Sequence, residues 1–529
     1  MSTYPAKYLG IGLAAAVSGF ALVPSAHAQE MGAPLSAIDW LERAMSAPLP
    51  QQSTAPPPPP PDDTLITLPA KGFEEISSAP LGRSELETTG LFTAERVGLP
   101  RGLWGPTPTS EIVAAIVSLP ADTMPAAARL SLRLLMAEFA PPLQNIPETR
   151  GALLLARVDK LVELGALEQA GQLIAAAPET SAALNARAFD IALLLGEEDR
   201  ACAHMSGQIA AQHSHSAQIF CMARRGDWQS AFASLQVGRA LGLLDENEAA
   251  LLTRFLEEEE EEEEGQITPP PHITPLGWRI MEALGDPVTT ASLPVAYAHA
   301  DLRGTSGWRS QLDAAERLTR ANVLEPNRLL GLYTQRRAAA SGGLWERVRI
   351  IQHLERALQQ RNQIAISTAL TEAWPLFAAV ELEVAFAQMK GDALAKTPLS
   401  GAAAEIMWKM LLLTQENAAL ADELAPDTDL GRFIMALAKG AEVLPVSSAS
   451  MAGAIHAAFS TSELPQQVQE QLDSGAVGLT LLGALSQIAD GAAGDLHAAT
   501  LGLQRLRALG LDPVARQIAI ELLLLERRG

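Results

Sequence analysis

The stretch Gly226-Asp227-Trp228-Gln229-Ser230-Ala231 contains a glycine followed five residues later by an alanine, and this element is the main sequence signal for the fold. The same element begins at Gly165 and at Gly196, so it recurs at intervals of 31 and 30 residues. Intervals of that size are typical of helical-hairpin arrays. Glycine permits the left-handed turn that ends one helix, and a small alanine lets the next helix approach its neighbour closely. The sequence therefore predicts helical hairpins.

The composition points to an all-α fold. Hydrophobic residues make up 48% of the chain and aromatic residues only 5%, and alanine and leucine supply most of the apolar content. These residues favour helices over strands. A chain of 529 residues is too long for one compact core, so we expect several units or an elongated stack.

The hexapeptide at Gly226, preceded by Met222-Ala223-Arg224-Arg225, resembles the turn and the second-helix start of a tetratricopeptide repeat. The other copies keep the glycine and the alanine, and a fourth copy lies at Gly510 with Ala515. The resemblance implies a tetratricopeptide-like α-solenoid in which a concave surface of stacked hairpins binds a partner.

A second resemblance involves two separate segments, Leu35 to Leu41 and Ser341 to Leu358. These segments are similar to secreted helical proteins of alphaproteobacteria whose function is unassigned. This resemblance implies a helical fold and export, and it implies no activity.

The beginning of the chain has the three-part layout of a secretory signal peptide. Lys7 precedes an apolar stretch from Leu9 to Val23, which leads to Pro24 and the small-x-small triplet Ala26-His27-Ala28. The apolar stretch is shorter than the roughly 20 residues of a membrane-spanning helix. We therefore expect cleavage near Ala28, a periplasmic or secreted location and no membrane span in the mature chain.

A short amphipathic helix is predicted directly after the cleavage site. Its candidate docking residues are Leu35, Ile38, Trp40, Leu41 and Met45. A helix of this length needs a surface to lie on, and the prolines from Pro56 to Pro61 form an extended tether after it. The helix either docks into a groove of a partner or folds back on its own domain.

The rest of the chain divides at its Pro-rich and Glu-rich segments. The first half ends in eight glutamates, Glu257 to Glu264, and the second half has tryptophans spaced 29 to 37 residues apart, consistent with one per hairpin. The predicted parts are a signal peptide (1–28), a short amphipathic helix (29–46), a largely disordered Pro-rich linker (47–109), tetratricopeptide-like repeats (110–264), a Pro-rich linker (265–275) and a second all-α array (276–529).

The two cysteines lie in a context where thiols oxidise, because an exported protein meets an oxidising compartment. Cys202 and Cys221 are predicted to lie on neighbouring antiparallel helices, where a disulfide is feasible. Two alternatives stay open, a pair of free buried thiols and a zinc site that would use His204, His213 and His215.

The stretch from Asp301 to Arg361 is locally basic, with eleven arginines and six acids, in a chain whose net charge is −22. Arginine forks suit carboxylates and phosphates, so this stretch is a candidate site for an anionic ligand or partner. The alternatives are pairing with acids on neighbouring helices or with the glutamate run. The candidate residues are Arg303, Arg309, Arg317, Arg320, Arg328, Arg336, Arg337, Arg347 and Arg349.

Function is the least determined property. The acidic net charge argues against nucleic acid as a partner, and the sequence contains no nucleophile elbow, phosphate loop, dinucleotide fingerprint or His-Glu-x-x-His. We therefore expect a non-catalytic scaffold or adaptor without a cofactor, which binds an envelope protein or a cell-wall component. The alternative is an envelope enzyme, because exported Ala/Leu-rich helical arrays resemble the superhelical part of soluble lytic transglycosylases, which act on peptidoglycan.

Overall fold

The computed structural model describes residues 86–144, 146–203, 205, 213–257, 269, 272–414, 418–461 and 463–525. The chain forms two units, 1–79 and 80–529, and the first lies wholly outside the described residues. The predicted signal peptide, the docking helix with Leu35, Ile38, Trp40, Leu41 and Met45, residues 258–264 of the glutamate run, and His204 therefore also lie outside them.

The described part of the second unit is built from 24 α-helices and one pair of two-residue strands. The first twelve helices are α1 (Thr109–Val117), α2 (Pro125–Met136), α3 (Ala152–Glu163), α4 (Leu167–Ala175), α5 (Ala182–Leu195), α6 (Glu198–Ala203), α7 (His215–Arg224), α8 (Trp228–Ala240), α9 (Glu246–Leu256), α10 (Pro275–Ala283), α11 (Ala298–Asp301) and α12 (Trp308–Arg320). The others are α13 (Pro326–Gln335), α14 (Gly343–Gln359), α15 (Gln363–Ala378), α16 (Glu383–Leu394), α17 (Ala402–Thr414), α18 (Ala418–Glu423), α19 (Asp429–Ala438), α20 (Ser450–Ser460), α21 (Gln466–Asp473), α22 (Val477–Ala492), α23 (Leu496–Ala508) and α24 (Asp512–Leu524). The strands β1 (Phe92–Thr93) and β2 (Ala137–Glu138) pair in parallel.

The predicted all-α class is confirmed, and the helix bounds follow local sequence signals. Helix α13 begins at Pro326, where proline suits the first turn. The first helix begins at Thr109, one residue before the predicted start of the repeats at 110, and Pro108 occupies the cap position.

One turn geometry joins many of the hairpins. A residue with positive φ ends the first helix, and the N–H of the residue after it donates to the carbonyl five positions earlier at 2.8–3.0 Å. The next helix begins one residue after that donor. The positive-φ residues that are followed two residues later by a new helix are Gly165, Gly196, Gly226, Arg361, Glu381, Gly475, Gly494 and Gly510. The Gly/Ala copies of the sequence thus all lie at such turns, and the same turn also forms at an arginine and a glutamate.

The segment 86–109, predicted as the end of a disordered linker, is instead packed against the helices. Trp104 is 1% exposed, and the Leu103 carbonyl accepts a hydrogen bond from Gly478 N at 2.8 Å. A Cβ at Gly105 would lie 2.2 Å from the Gly475 carbonyl oxygen, so only glycine allows this approach. The dense Gly and Pro punctuation therefore serves close backbone packing here and does not mark an unstructured tether.

Helices from the two ends of the described chain, α2 and α24, contact each other. Helix α2 packs on α24, where the buried Glu521 accepts from Ala126 N at 2.8 Å and pairs with Arg129 at 3.3 Å. In an open solenoid each hairpin contacts only its neighbours. The predicted two-part solenoid is therefore wrong in one respect, because helices from the beginning and the end of this unit pack against each other.

Two clusters of buried apolar side chains form inside this unit. The main core combines residues from α1–α5 with residues from α10–α24, and a smaller cluster, which we call the disulfide lobe, combines α6–α9 with parts of α5 and α10. Helices α9 and α10, which flank the glutamate run, pack on each other within the lobe. The predicted boundary at 264–276 therefore does not separate two arrays.

The tryptophans of the second half do not occur once per hairpin. Trp345 and Trp374 lie on α14 and α15, which pack together as one hairpin, while the Trp345 ring lies 5.2 Å from the ring of Trp308 on α12. Trp308 and Trp408 are buried, and their indole N–H groups donate to partners on neighbouring segments. The spacing thus reflects core packing.

Arg157 is a buried charged side chain of the main core whose hydrogen bonds all go to backbone carbonyls. Arg157 is 1% exposed and donates to the carbonyls of Thr89, Leu135 and Ala137 at 2.7–2.8 Å, and burial lowers its pKa to about 10. Because it joins α3 to the end of α2 and to the segment before β1, this side chain fixes three parts of the chain together. None of the described helices combines the length and apolar character that crossing a membrane requires.

Candidate functional site

A cleft of about 920 Å³ lies between helices α4, α5 and α6 on one side and α11 with the start of α13 on the other. Its floor is apolar and includes Leu167, Ile174, Phe189 and Ala192. Clefts of this size with an apolar lining and a few convergent polar groups are typical ligand sites.

Helical periodicity places the lining residues. On α5 the residues that face the cleft are Asn185, Ala188, Phe189, Ala192 and Leu195, at spacings of three or four that share one helix face. The Ser181 hydroxyl caps the start of α5 by accepting from Leu184 N at 3.3 Å. The cap and the Gly196 turn together fix both ends of this wall.

Three arginines and two glutamates, Glu168 and Glu197, form the charged rim of the cleft. Arg200 pairs with Glu197 at 2.8 Å, and Arg303 donates to both carboxylate oxygens of Glu282 at 2.6 and 2.8 Å. The third arginine, Arg328 on α13, is exposed, and among the described residues its guanidinium has no hydrogen bond or ion pair. The cation that remains available to a ligand is therefore Arg328.

His299 connects the cleft to the first hairpin turn. Its Nε2 lies 2.6 Å from the carbonyl oxygen of Gly165, which only accepts, so Nε2 carries the proton and Nδ1 is left as an acceptor. Burial lowers the pKa of His299, although the Gly165 hydrogen bond and Glu168 act in the opposite direction. Burial therefore favours the neutral form of the imidazole.

The metal alternative is not assembled by the described residues. His213 lines the cleft with its ring 5.9 Å from that of Phe189, and burial lowers its pKa. His215 is directed to a different neighbour, the Ser234 carbonyl on α8, at 2.9 Å. Within the described ranges no three metal-ligating side chains come together, and His204 lies outside those ranges.

The predicted disulfide between Cys202 and Cys221 is present, with a Cα–Cα distance of 5.3 Å. It joins α6 to α7 inside the disulfide lobe, and both cysteines are buried. Because α6 carries Arg200 and Ala201 of the cleft lining, the disulfide fixes one wall of the cleft to the lobe.

The predicted arginine cluster does not form one patch. Arg317 donates to the carbonyls of Thr290 and Leu293 at 2.7 Å each, and Arg347 is buried against Glu316. Both side chains are structural, but only Arg347 pairs with an acid on a neighbouring helix as the alternative predicted, because Arg317 is held by backbone carbonyls. Of the remaining candidates, Arg303 and Arg328 line the cleft, Arg337 and Arg349 line a groove beside α14, Arg320 lines a small third pocket, and Arg309 and Arg336 are exposed outside these cavities.

The sequence did not reveal the cleft floor. Phe189 and Ile174 have the same apolar spacing as core residues. Whether they line a cavity depends on how helices from other parts of the chain pack around them. The only sequence signal for this site was the arginine content near Arg303 and Arg328.

No family model matches the chain, and comparisons with curated proteins and with solved structures give no match either. The fold and the cleft define the protein only as an all-α protein of packed helical hairpins with an apolar cleft rimmed by charge.

Proposed function

We propose that the protein is an exported, non-catalytic helical scaffold or adaptor whose cleft receives a segment of an envelope protein or cell-wall component. The observation that carries the proposal is the 920 Å³ cleft with an apolar floor and one uncommitted cation, Arg328. Its ligand would place an apolar group on Phe189 and Ile174 and an anionic group near Arg328.

Two further observations support the proposal. The Arg303 side chain is already paired with both carboxylate oxygens of Glu282, so this part of the rim is held in place before a ligand arrives and loses little conformational entropy on binding. The Cys202–Cys221 disulfide is compatible with a periplasmic or secreted location.

Affinity capture from an envelope fraction tests the proposal. Ala175 is exposed and lines the cleft, so Ala175→Trp should fill the cleft without disturbing the core. Both Ala175→Trp and Arg328→Glu should lose the captured partner. The matched controls are Ala114→Trp on the exposed side of α1 and Arg309→Glu on α12, which should retain it.

A partner retained equally by all four variants would show that the cleft is not the binding site. Purified peptidoglycan provides the test of the enzymatic alternative. Release of soluble fragments by the wild-type protein would contradict a non-catalytic role.

A further inference from the structure

A second cavity, of about 860 Å³, lies between α13 and α14. Seven of its nine lining residues are polar or charged, and three of them are arginines, Arg337, Arg349 and Arg356. We call this cavity the arginine groove. It shares no lining residue with the cleft, so it is a separate site. A groove of this composition suits a polar, charged ligand.

Hydrogen bonds from α14 fix the shape of the arginine groove. The side-chain amide of Gln352 donates to the carbonyls of Tyr333 and Arg336 at 2.8 and 2.6 Å. Arg349 donates to the carbonyl of Ala340 at 2.8 Å. These bonds hold the end of α13 and the segment after it against α14, so both walls are in place before a ligand binds.

Two of the three arginines have no acidic partner in the described part of the chain. Arg337 is exposed and has neither a hydrogen bond nor an ion pair there, and Arg356 donates only to the backbone carbonyl of Gln352. Arg349 has an acid nearby, because Glu346 lies 3.8 Å from its guanidinium. The cations available to a ligand are therefore Arg337 and Arg356.

The acid of the groove lining is already paired. Glu355 forms an ion pair with Lys390 of α16. Burial lowers the pKa of Lys390 to about 8, so its ammonium group keeps its charge at pH 7. Glu346 and Glu372 line the neighbouring cavity toward α15 and not this groove. The arginine groove therefore has a positive net charge.

This local charge decides which ligand is attracted, although the whole chain has a net charge of −22. At physiological salt, charges further away than about 8 Å are largely screened. A guanidinium fork matches the two oxygens of a carboxylate or a phosphate. The groove is therefore suited to an anion, and its other polar groups distinguish between these two kinds.

The glutamines of the groove provide hydrogen-bond acceptors. Because the Gln352 amide nitrogen donates to two carbonyls, its side-chain oxygen is left as an acceptor, and no described residue donates to it. Gln359 is exposed, and its amide is not hydrogen-bonded within the described residues. A peptide brings N–H donors for these oxygens, whereas a phosphate polymer brings only acceptors. The groove therefore matches a peptide better than a phosphate polymer.

We infer that the arginine groove binds an acidic peptide segment of a partner protein, with carboxylates on Arg337 and Arg356 and backbone N–H groups on the glutamine oxygens. Arg349 and Arg356 are seven residues apart on α14, which is about 10 Å along the helix. Acidic side chains at every third position of an extended peptide are spaced by about the same distance. The inference goes beyond the function proposed for the cleft, and either site can fail its test without the other.

A designed peptide tests the inference on the purified, oxidised protein at pH 7. The probe is a fluorescent peptide of about 15 residues with glutamate at every third position and alanine and serine between, and the matched probe has glutamine in place of glutamate. Fluorescence anisotropy should detect binding of the glutamate peptide, weakened when salt rises from about 50 mM to about 500 mM. Binding of the glutamine peptide should be much weaker.

The double variant Arg337→Gln with Arg356→Gln should lower the affinity for the glutamate peptide by at least about tenfold, because it removes both available cations. The control is Arg239→Gln with Arg309→Gln, which removes the same charge from exposed positions outside the groove. Its affinity should change by less than about twofold. Thermal unfolding at the wild-type temperature would show that both double variants are folded.

Equal binding of the two peptides, or an equal loss in both double variants, would overturn the inference. Inorganic polyphosphate provides the test of the other anion. Displacement of the glutamate peptide by polyphosphate at the same concentration of charge would also overturn the inference, because the groove would then prefer a phosphate polymer.

The glutamates Glu257 to Glu264 of this chain are the remaining competing occupant. Changing all of them to serine should alter the affinity for the glutamate peptide by the same small factor in the wild type and in the Arg337/Arg356 variant. A gain of more than about tenfold that requires Arg337 and Arg356 would overturn the inference, because the chain's own glutamates would then occupy the groove.

Discussion

The main core and the disulfide lobe are stabilised in different ways. In the main core, contacts between residues far apart in sequence, such as Ala126 with Glu521, hold the helices together, and buried charges such as Arg157 find partners on several segments. The lobe has a smaller set of buried apolar residues, and a covalent bond joins α6 to α7. The large core is therefore stabilised by packing, whereas the small lobe is stabilised in part by a cross-link.

The comparison extends to binding. One wall of the proposed binding cleft belongs to α6, and five of the twelve exposed large hydrophobic side chains among the described residues fall within residues 228–243, so the lobe contributes to the cleft and also exposes apolar side chains. A cross-linked lobe can expose apolar side chains because its stability depends less on burying every one of them.

The largest expected effect is in the main core. Arg347 donates to both oxygens of Glu316 at 2.8 and 2.5 Å, and Glu316 also accepts from the Tyr333 hydroxyl at 2.6 Å. Arg347→Ala would leave Glu316 buried without its cation, so we expect the free energy of unfolding to fall by about 3–5 kcal/mol in urea denaturation. The exposed Arg349→Ala is the control, with an expected change below about 0.5 kcal/mol.

Glu316→Leu combined with Arg347→Met and Tyr333→Phe should recover most of the loss, because it removes both buried charges and the hydroxyl that donates to Glu316. If Arg347→Ala and Arg349→Ala cost the same, the buried pair would not hold the main core.

The next effect is in the lobe. The double variant Cys202→Ser with Cys221→Ser removes the disulfide, which closes a loop with a sequence separation of 19. We expect the free energy of unfolding to fall by about 3 kcal/mol, the value of the chain-entropy model. The loss should be local, so hydrogen exchange should rise in α6 and α7 while amides at the α2–α24 contact keep their protection. Uniform loss of protection over both regions would show that the lobe and the main core unfold as one.

The sequence was sufficient for the local parts of this structure and insufficient for its long-range parts. The turns at Gly165 and Gly226 and the disulfide follow from short-range spacing, and they are present. The turns at Arg361 and Glu381 were missed because neither residue favours positive φ, and tertiary packing imposes it.

The long-range parts depend on contacts that no local pattern contains. The hydrogen bond from Ala126 N to Glu521 spans 395 residues, so closure of the fold left no periodic signal. The cleft was missed for the same reason, since the wall opposite α5 comes from α11 and α13, which lie more than 100 residues further along the chain.

An intermediate effect is expected in α5, which contributes to both cores. Burial raises the pKa of Asp190 from its ordinary 3.8 to about 6, so the folded protein holds a proton that the unfolded chain releases between about pH 4 and 6. The contribution of Asp190 to the free energy of unfolding is therefore most favourable at low pH and is lost as the pH rises through about 6. Asp190→Asn should raise the free energy of unfolding by about 1–3 kcal/mol at pH 7.5 and have little effect at pH 4.

Thermal unfolding across that pH range measures the effect, with the exposed Asp392→Asn as the matched control. A gain from Asp190→Asn that is as large at pH 4 as at pH 7.5 would contradict a buried, proton-holding carboxyl.

The smallest expected effects are at two turns, one in the lobe and one in the main core. Gly226 in the lobe has φ of 83° and open space around the position of a Cβ, so Gly226→Ala should cost only the left-handed strain, about 1 kcal/mol. Arg361 in the main core has φ of 52°, so Arg361→Gly should instead stabilise by up to about 1 kcal/mol. Chemical denaturation of both variants should give changes of opposite sign, and changes of the same sign would refute the shared turn geometry.

Site-specific photo-crosslinking in the cell envelope tests the central claim, that the cleft is where a partner binds. A photoreactive phenylalanine analogue at Ala175 would lie in the cleft, and the same analogue at Ala114 would lie on the exposed side of α1. We predict one defined adduct from position 175 that disappears when Arg328 is changed to Glu, and none from position 114. Adducts of equal yield from both positions, or an adduct at 175 that persists in the Arg328→Glu variant, would contradict a binding cleft.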